Sequence, residues 1–107
     1  MLYERIGLPA MLEQMAEECN ELAHACLKYS RYLRNENPVY TEPDEMIRNI
    51  NEEMADVTIT LGELLGSDFT EDNNSGYEEF IAAKIKRMME RMETYDLAQR
   101  SDSVSTR

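Results

Sequence analysis

Apolar residues recur at alternating spacings of three and four over three long stretches of the chain, which is the period of amphipathic helices. The first stretch begins near Pro9, because proline suits the first turn of a helix. It ends at Asn35-Glu36-Asn37-Pro38, because proline disfavours helical backbone in the residue before it. Its apolar stripe consists of Leu12, Met15, Cys19, Leu22, Cys26, Tyr29 and Leu33. We predict a single helix of roughly seven turns here.

A second helix is predicted from Thr41, a candidate N-cap, to Gly66, a candidate C-cap. Three acidic residues suit the positive first turn of this helix: Glu42, Asp44 and Glu45. Its apolar stripe consists of Ile47, Ile50, Met54, Val57, Leu61 and Leu64. Residues 67–76 are expected to form a polar loop, with Phe69 tucked back onto the bundle.

The third helix is predicted to run from Ser75 or Gly76 to about Met92. Its apolar stripe consists of Tyr77, Ile81, Ile85, Met88 and Met92. The stripe beside it is mostly basic and consists of Phe80, Lys84, Arg87 and Arg91. After Tyr95 little remains to be buried, so we expect a frayed, disordered polar tail over residues 96–107.

These elements predict an all-α fold, in which residues 1–95 form one helical domain. The three main helices are expected to pack as an antiparallel bundle. Three long helices in an isolated monomer would leave some of their apolar faces uncovered. We therefore expect homo-oligomerisation, as a dimer or a tetramer, to complete the bundle.

The charge balance narrows the possible partners. With 11 basic and 22 acidic residues the net charge is −11, which disfavours direct binding to nucleic acid or to an anionic membrane. No apolar run approaches the roughly 20 residues that cross a bilayer, and the N-terminus lacks the layout of a signal peptide. A cytoplasmic protein is expected, with Cys19 and Cys26 as free thiols buried on the apolar stripe.

Two acidic pairs lie beside the apolar stripes, at the border of the expected seam between the first two helices. Glu18 and Glu21 lie three residues apart on the first helix, and Glu53 and Asp56 have the same spacing on the second. If these helices pack antiparallel, four carboxylates converge, and a cation is needed to offset their repulsion. Carboxylate ligands suit Mg²⁺, with Mn²⁺ as a substitute. The alternative is an ordinary solvated face, since an acidic chain contains such spacings by chance.

Glu17-Glu18-x-x-Glu21 followed by Glu52-Glu53-x-x-Asp56-Val57 resembles the MazG-like family of all-α nucleoside triphosphate pyrophosphohydrolases. The resemblance extends from about Met11 to Met92, although the stretch between the two motifs is rather long for the family. The resemblance implies Mg²⁺-dependent cleavage of a nucleotide between its α and β phosphates, which gives a monophosphate and pyrophosphate. Carried over to this chain, the metal ligands would be Glu18, Glu21, Glu53 and Asp56, and Glu17 or Glu52 would act as the base or from the second shell.

Other residues are weaker candidates for substrate binding. Lys84 and Arg87, with Lys86 as the alternative to Arg87, are hypothesised to reach the phosphates or else to pair with nearby glutamates. Lys28 is expected first to stabilise the negative end of its helix and second to bind phosphate. Three tyrosines are candidates for stacking on a base: Tyr29, Tyr32 and Tyr77. The same superfamily also hydrolyses phosphoribosyl-ATP, and a non-catalytic acidic interaction module is the rival from another class.

Overall fold

Three α-helices make up the regular structure of the described residues. The structure is a computed structural model and describes residues 2–36, 41–67 and 76–105. Helix α1 spans Leu2–Leu33, α2 spans Pro43–Leu65 and α3 spans Tyr77–Ser105. The all-α fold class is thus confirmed for this part of the chain, which contains no strand. Phe69 and Pro38 lie outside the described residues.

Helix α1 starts earlier than the position of its proline predicted. It begins at Leu2 and is kinked at Gly7, whose backbone has φ 84° and ψ 167°. A positive φ of this size favours glycine, because a Cβ would strain the backbone. Pro9 follows the kink and lies in the first turn of the long helical segment, where its missing N–H breaks no hydrogen bond.

The end of α1 is a Schellman motif built on Asn35. Asn35 adopts φ 57°, the left-handed conformation that asparagine tolerates better than most residues. Its N–H donates to the carbonyl of Tyr32, and the N–H of Glu36 donates to the carbonyl of Arg31, each at 3.1 Å. These two bonds satisfy carbonyl groups that the last turn of a helix otherwise leaves open. The predicted helix end near Asn35 is therefore confirmed.

Helix α2 does not begin at the predicted N-cap. The N-cap residue is Glu42, whose side chain makes no capping hydrogen bond, and Pro43 occupies the first turn. Proline fits there because its φ is already helical and its absent N–H would have had no partner, so Thr41 is excluded from the cap position. At the other end Gly66 is the C-cap, as predicted, and its N–H donates to the carbonyl of Gly62 at 3.0 Å.

Helices α1 and α2 pack against each other. One glutamate of each acidic pair, Glu18 or Glu53, lies between buried residues of its helix. On α1, Met11 is 0% exposed and Ala25 is 6% exposed, and Glu18 lies midway between them, seven residues from each. Seven residues are two helical turns, so these three side chains share one face. The acidic pair on α1 thus belongs to the face that contacts α2.

Helix α2 repeats this arrangement. Met46 and Thr60 are 3% and 5% exposed, and Glu53 lies midway between them. The Thr60 hydroxyl donates to the backbone carbonyl of Asp56 at 2.9 Å, which satisfies this buried side chain within its own helix. Both helices therefore place a glutamate at a position where a helix–helix seam normally carries an apolar side chain.

The predicted apolar stripe of α1 is only partly covered. Its half-buried members are Met15, Leu22 and Tyr29, and its exposed members are Leu12, Cys19, Cys26 and Leu33. Both cysteines are free thiols, as expected, but their predicted burial is wrong. The reason is that α2 covers the face centred on Glu18, and a position one residue further on lies about 100° away around the helix.

The chain divides into two compact units, Met1–Asp72 and Asn73–Arg107. The second unit contains α3, whose described side chains from Tyr77 to Ser101 are all exposed. Helix α3 continues to Ser105, beyond the predicted end near Met92, so the expected frayed tail is helical up to that residue. Residues 93–105 contain neither glycine nor proline, so nothing in the sequence interrupts the helix. None of the described helices has the length and apolar character needed to cross a bilayer.

Candidate metal centre

Four carboxylates converge where α1 and α2 pack together. Glu18 and Glu21 come from α1, and Glu53 and Asp56 come from α2. One carboxylate oxygen of each residue lies within 4.8 Å of the corresponding oxygens of the other three. The three-residue spacing points both members of a pair to the same side, and the packing of the two helices brings the pairs together. The structure thus gathers all four sequence-predicted ligands, while their binding of metal stays a prediction.

Two of these carboxylates have a buried oxygen that no described group satisfies. Glu18 Oε2 and Glu53 Oε2 are both shielded from solvent and accept no hydrogen bond. The other oxygen of Glu18, Oε1, accepts a hydrogen bond from the Gln14 side-chain amide one helical turn earlier. A buried carboxylate oxygen without a partner is costly, and a bound cation or a proton would satisfy it. The donor set therefore fits a hard divalent ion such as Mg²⁺.

The crowding of negative charge contributes to a raised pKa of Glu18 and of Glu21. Desolvation raises the pKa of Glu18 above its usual value, and the charges of Glu21 and Asp56 add to this shift against the opposing hydrogen bond from Gln14. The charge of Glu53 is the main reason why the pKa of Glu21 is raised, followed by desolvation and a hydrogen bond with Glu53. A cation bound among these groups would stabilise their ionised forms.

Two cavities lie in the groove between α1 and α2, and the smaller one borders the acidic cluster. The smaller, of about 190 Å³, is lined by Glu21, His24, Ala25, Lys28, Asn49 and Glu53. The larger, of about 390 Å³, is lined by Lys28, Thr41, Glu45, Met46, Arg48, Asn49 and Glu52. The cavities share Lys28 and Asn49, so they adjoin along the groove between the acidic cluster and the first turns of α2. The two cavities together are called the cleft.

Of the remaining predicted site residues, some line the cavities between α1 and α2 and others lie elsewhere. Glu52 lines the larger cavity, and Glu17 is an exposed residue whose charge contributes to the raised pKa of Glu21. Lys28 lines both cavities. Lys84 and Arg87 are exposed on α3, in the second compact unit, and their role as phosphate ligands stays a prediction.

Two of the three tyrosines proposed to stack on a base instead stack on each other. The rings of Tyr29 and Tyr32 lie 6.1 Å apart between centroids, at an interplanar angle of 12°, and both residues are half-buried. Tyr77 is exposed on α3. Among the described residues, no aromatic ring lines either cavity between α1 and α2.

Sequence reasoning missed the contribution of Arg48 and of Glu45 to the cleft. Arg48 lies four residues before Glu52, and Glu45 lies seven residues before it, so all three belong to neighbouring faces of one helix. This spacing was visible in the sequence, but the face of α2 that would line a cavity was not. No family model, curated protein or solved structure matches this chain.

Proposed function

We propose that this protein is a Mg²⁺-dependent nucleoside triphosphate pyrophosphohydrolase, which converts a nucleoside triphosphate or its deoxy form to the monophosphate and pyrophosphate. The observation that carries the proposal is the convergence of four carboxylates within 4.8 Å, two of them with a buried oxygen that lacks a partner. The likeness of the two motifs to the MazG-like family supplies the substrate class and the reaction.

In this proposal Glu18, Glu21, Glu53 and Asp56 hold the cation. When bound, Mg²⁺, or Mn²⁺ in its place, would neutralise phosphate charge and lower the pKa of a coordinated water. Glu18 and Glu53 set the position of the ion, because their seam positions fix both side chains between packed helices. The acidic pair of α1 and the acidic pair of α2 would then lie on two sides of the bound substrate, which restricts its orientation.

The reaction needs a base in addition to the metal ligands. As water adds to phosphorus, its proton must be taken up, while the bond to the bridging oxygen breaks and pyrophosphate leaves with the electron pair. Glu17 and Glu52 are the candidates for this base, and each directly precedes a proposed metal ligand in the sequence. Glu52 is favoured by its place in the lining of the cleft. Lys28, at the junction of the two cavities, would contact the substrate phosphates.

The decisive experiment measures pyrophosphate release from canonical and modified nucleoside triphosphates, with Mg²⁺ and with EDTA. Phosphoribosyl-ATP belongs in the same panel, since the same superfamily hydrolyses it. Glu53→Gln should lower release by about 100-fold or more, because it removes a ligand charge from the catalytic cation. The matched control is Glu13→Gln, which removes the same charge from an exposed position of α1 outside the cluster.

Metal-dependent release that persists in the Glu13 variant and disappears in the Glu53 variant would support the proposal. Absence of release from every nucleotide, with folded protein, would instead favour a non-catalytic helical interaction module whose acidic pairs are solvated. A cytoplasmic location, where such nucleotides are found, also belongs to the proposal. So does self-association, which the exposed apolar side chains of α3 favour.

A further inference from the structure

The larger cavity between α1 and α2 has a charge arrangement that the proposed metal site does not use. Its cations, Lys28 and Arg48, come from different helices and line the same space of about 390 Å³. Lys28 is half-buried, and Arg48 is exposed. Within the described part of the chain neither of them has an ion-pair partner within 4.0 Å. Both side chains are therefore available to a ligand in the cavity.

The chemistry of the lining indicates what such a ligand carries. Asn49 and Thr41 add an amide and a hydroxyl that can donate hydrogen bonds. Of the described residues that line the cavity, only Met46 is apolar. Two cations with neighbouring neutral donors suit a phosphate group, which accepts several hydrogen bonds and is stabilised by guanidinium and ammonium groups. Glu45 and Glu52 also line the cavity, and their charges oppose an anion there.

The charge of the acidic cluster makes such a subsite useful to the proposed reaction. Four ionised carboxylates and one divalent cation leave a net charge of −2 where a polyphosphate would bind. Lys28 is common to both cavities, so it lies between the carboxylates and the larger cavity. A ligand that extends along the cleft from the acidic cluster would therefore meet the positive charge of Lys28 and Arg48.

We propose that the larger cavity is an anion subsite, in which Lys28 and Arg48 hold a phosphate group of the ligand that does not contact the metal. The identity of the ligand rests on the proposed function, but occupation of this cavity by a phosphate group does not require catalysis. The phosphate belongs either to the nucleotide or to pyrophosphate, and binding of each can be measured separately.

The test follows amide signals of the ¹⁵N-labelled full chain by NMR in EDTA, during titration with a nucleoside monophosphate or with pyrophosphate. Sodium chloride at matched ionic strength is the reference. We expect saturable shifts at Thr41, Arg48 and Asn49. Arg48→Gln should weaken the binding by about fivefold, because it removes one charge contact from an exposed side chain. Glu45→Gln should strengthen it, because this change removes an opposing charge.

Arg34→Gln is the matched control, because Arg34 lies at the exposed end of α1, beside Glu36 at 4.0 Å, and outside the cavity. Saturation by the monophosphate assigns the cavity to the nucleotide, and saturation by pyrophosphate assigns it to the leaving group. Shifts no larger than those caused by sodium chloride, or equal weakening by the Arg34 and Arg48 variants, would overturn the subsite. Binding in EDTA without hydrolysis in Mg²⁺ would keep the subsite and refute the proposed function. Hydrolysis in Mg²⁺ without binding in EDTA would support the proposed function and refute the subsite.

Discussion

At the scale of single residues, the unusual feature is a pair of glutamates in the seam between two helices. Glu18 and Glu53 each lie midway between buried side chains of their own helix, and each has one buried oxygen without a partner. A seam that placed apolar residues there would be more stable, because it would avoid the desolvation of two like charges. The arrangement costs stability unless a cation binds, which links the stability of the protein to metal.

The first prediction concerns this link. Mg²⁺ should raise the melting temperature of the wild-type protein. At a free concentration ten times its dissociation constant, Mg²⁺ adds about 1.4 kcal/mol to the free energy of unfolding. Glu53→Gln should melt a few degrees above the wild type in EDTA, because one of the crowded charges is gone, and should lose most of the response to Mg²⁺. Differential scanning calorimetry measures both effects, with sodium chloride at matched ionic strength as the control. A wild-type protein that melts at the same temperature in Mg²⁺ and in sodium chloride contradicts the prediction.

The second prediction concerns pH, and its sign follows from the raised pKa of both Glu18 and Glu21. A carboxyl whose pKa is higher in the folded than in the unfolded state binds its proton more tightly when folded. In EDTA the ionised forms of these two groups lower the stability at neutral pH. This loss is reversed as the pH falls through the raised pKa values, and it is gone below the ordinary pKa of 4.5. The double variant Glu18→Gln/Glu21→Gln should be more stable than the wild type at pH 7.

Melting temperatures of the two proteins in EDTA between pH 7 and pH 4 measure this difference. The comparison with the double variant cancels the contribution of the other carboxylates, which are numerous in a chain with 22 acidic residues. We expect the advantage of the variant to disappear as the pH falls. An advantage that stays constant over this range would show that it does not arise from ionisation.

At the scale of elements, both α1 and α2 have defined ends where the chain passes from one helix to the other. Asn35 ends α1 in the left-handed conformation, and Pro43 starts α2 without a side-chain cap. Lys28 in the second half of α1 and Arg48 in the first half of α2 line the same cavity, so these two halves face each other.

The third prediction tests the end of α1. Asn35→Ala should destabilise the protein by about 1 kcal/mol, because alanine tolerates the left-handed conformation less well than asparagine. Asn35→Gly should be neutral or slightly stabilising, since glycine adopts positive φ without a steric cost. Urea unfolding followed by circular dichroism measures both changes. Equal stability of the alanine and glycine variants would contradict this role of the left-handed residue.

At the scale of the whole molecule, many large apolar side chains of the described residues are exposed. Every described side chain of α3 from Tyr77 to Ser101 is exposed, including Ile85, Met88 and Met92 at 51%, 58% and 63%. On the helix pair, Leu33 and Ile59 are exposed at 61% and 65%. An amphipathic helix gains most of its stability from packing of its apolar face, and α3 lacks such packing within its own unit.

The fourth prediction is therefore that the protein self-associates in solution as a dimer or a tetramer. Light scattering coupled to size-exclusion chromatography should give a mass that is a multiple of the 12.5 kDa chain. The melting temperature should rise with protein concentration, because association stabilises the folded form by mass action. A monomeric mass with a concentration-independent melting temperature would refute self-association.

The sequence by itself determined the helices and the residues that converge. Periodic apolar positions predicted all three helices, because the period depends only on the local geometry of the chain. The spacing of Glu18 with Glu21 and of Glu53 with Asp56 determined which side chains share a face, since neighbours on a helix are fixed by its pitch. From the sequence, the packing of the first two helices against each other was only an assumption, and the structure supplies this step.

Tertiary structure alone decided which face of each helix is covered. The hydrophobic pattern placed Cys19 and Cys26 in the core and the acidic pairs at its border, whereas α2 covers the face centred on Glu18 and leaves both cysteines exposed. Amphipathicity ranks the faces of one helix, but burial depends on what the partner helix brings to the contact. The cleft with Arg48 and Lys28 likewise exists only once two helices lie side by side, because no single helix encloses a cavity.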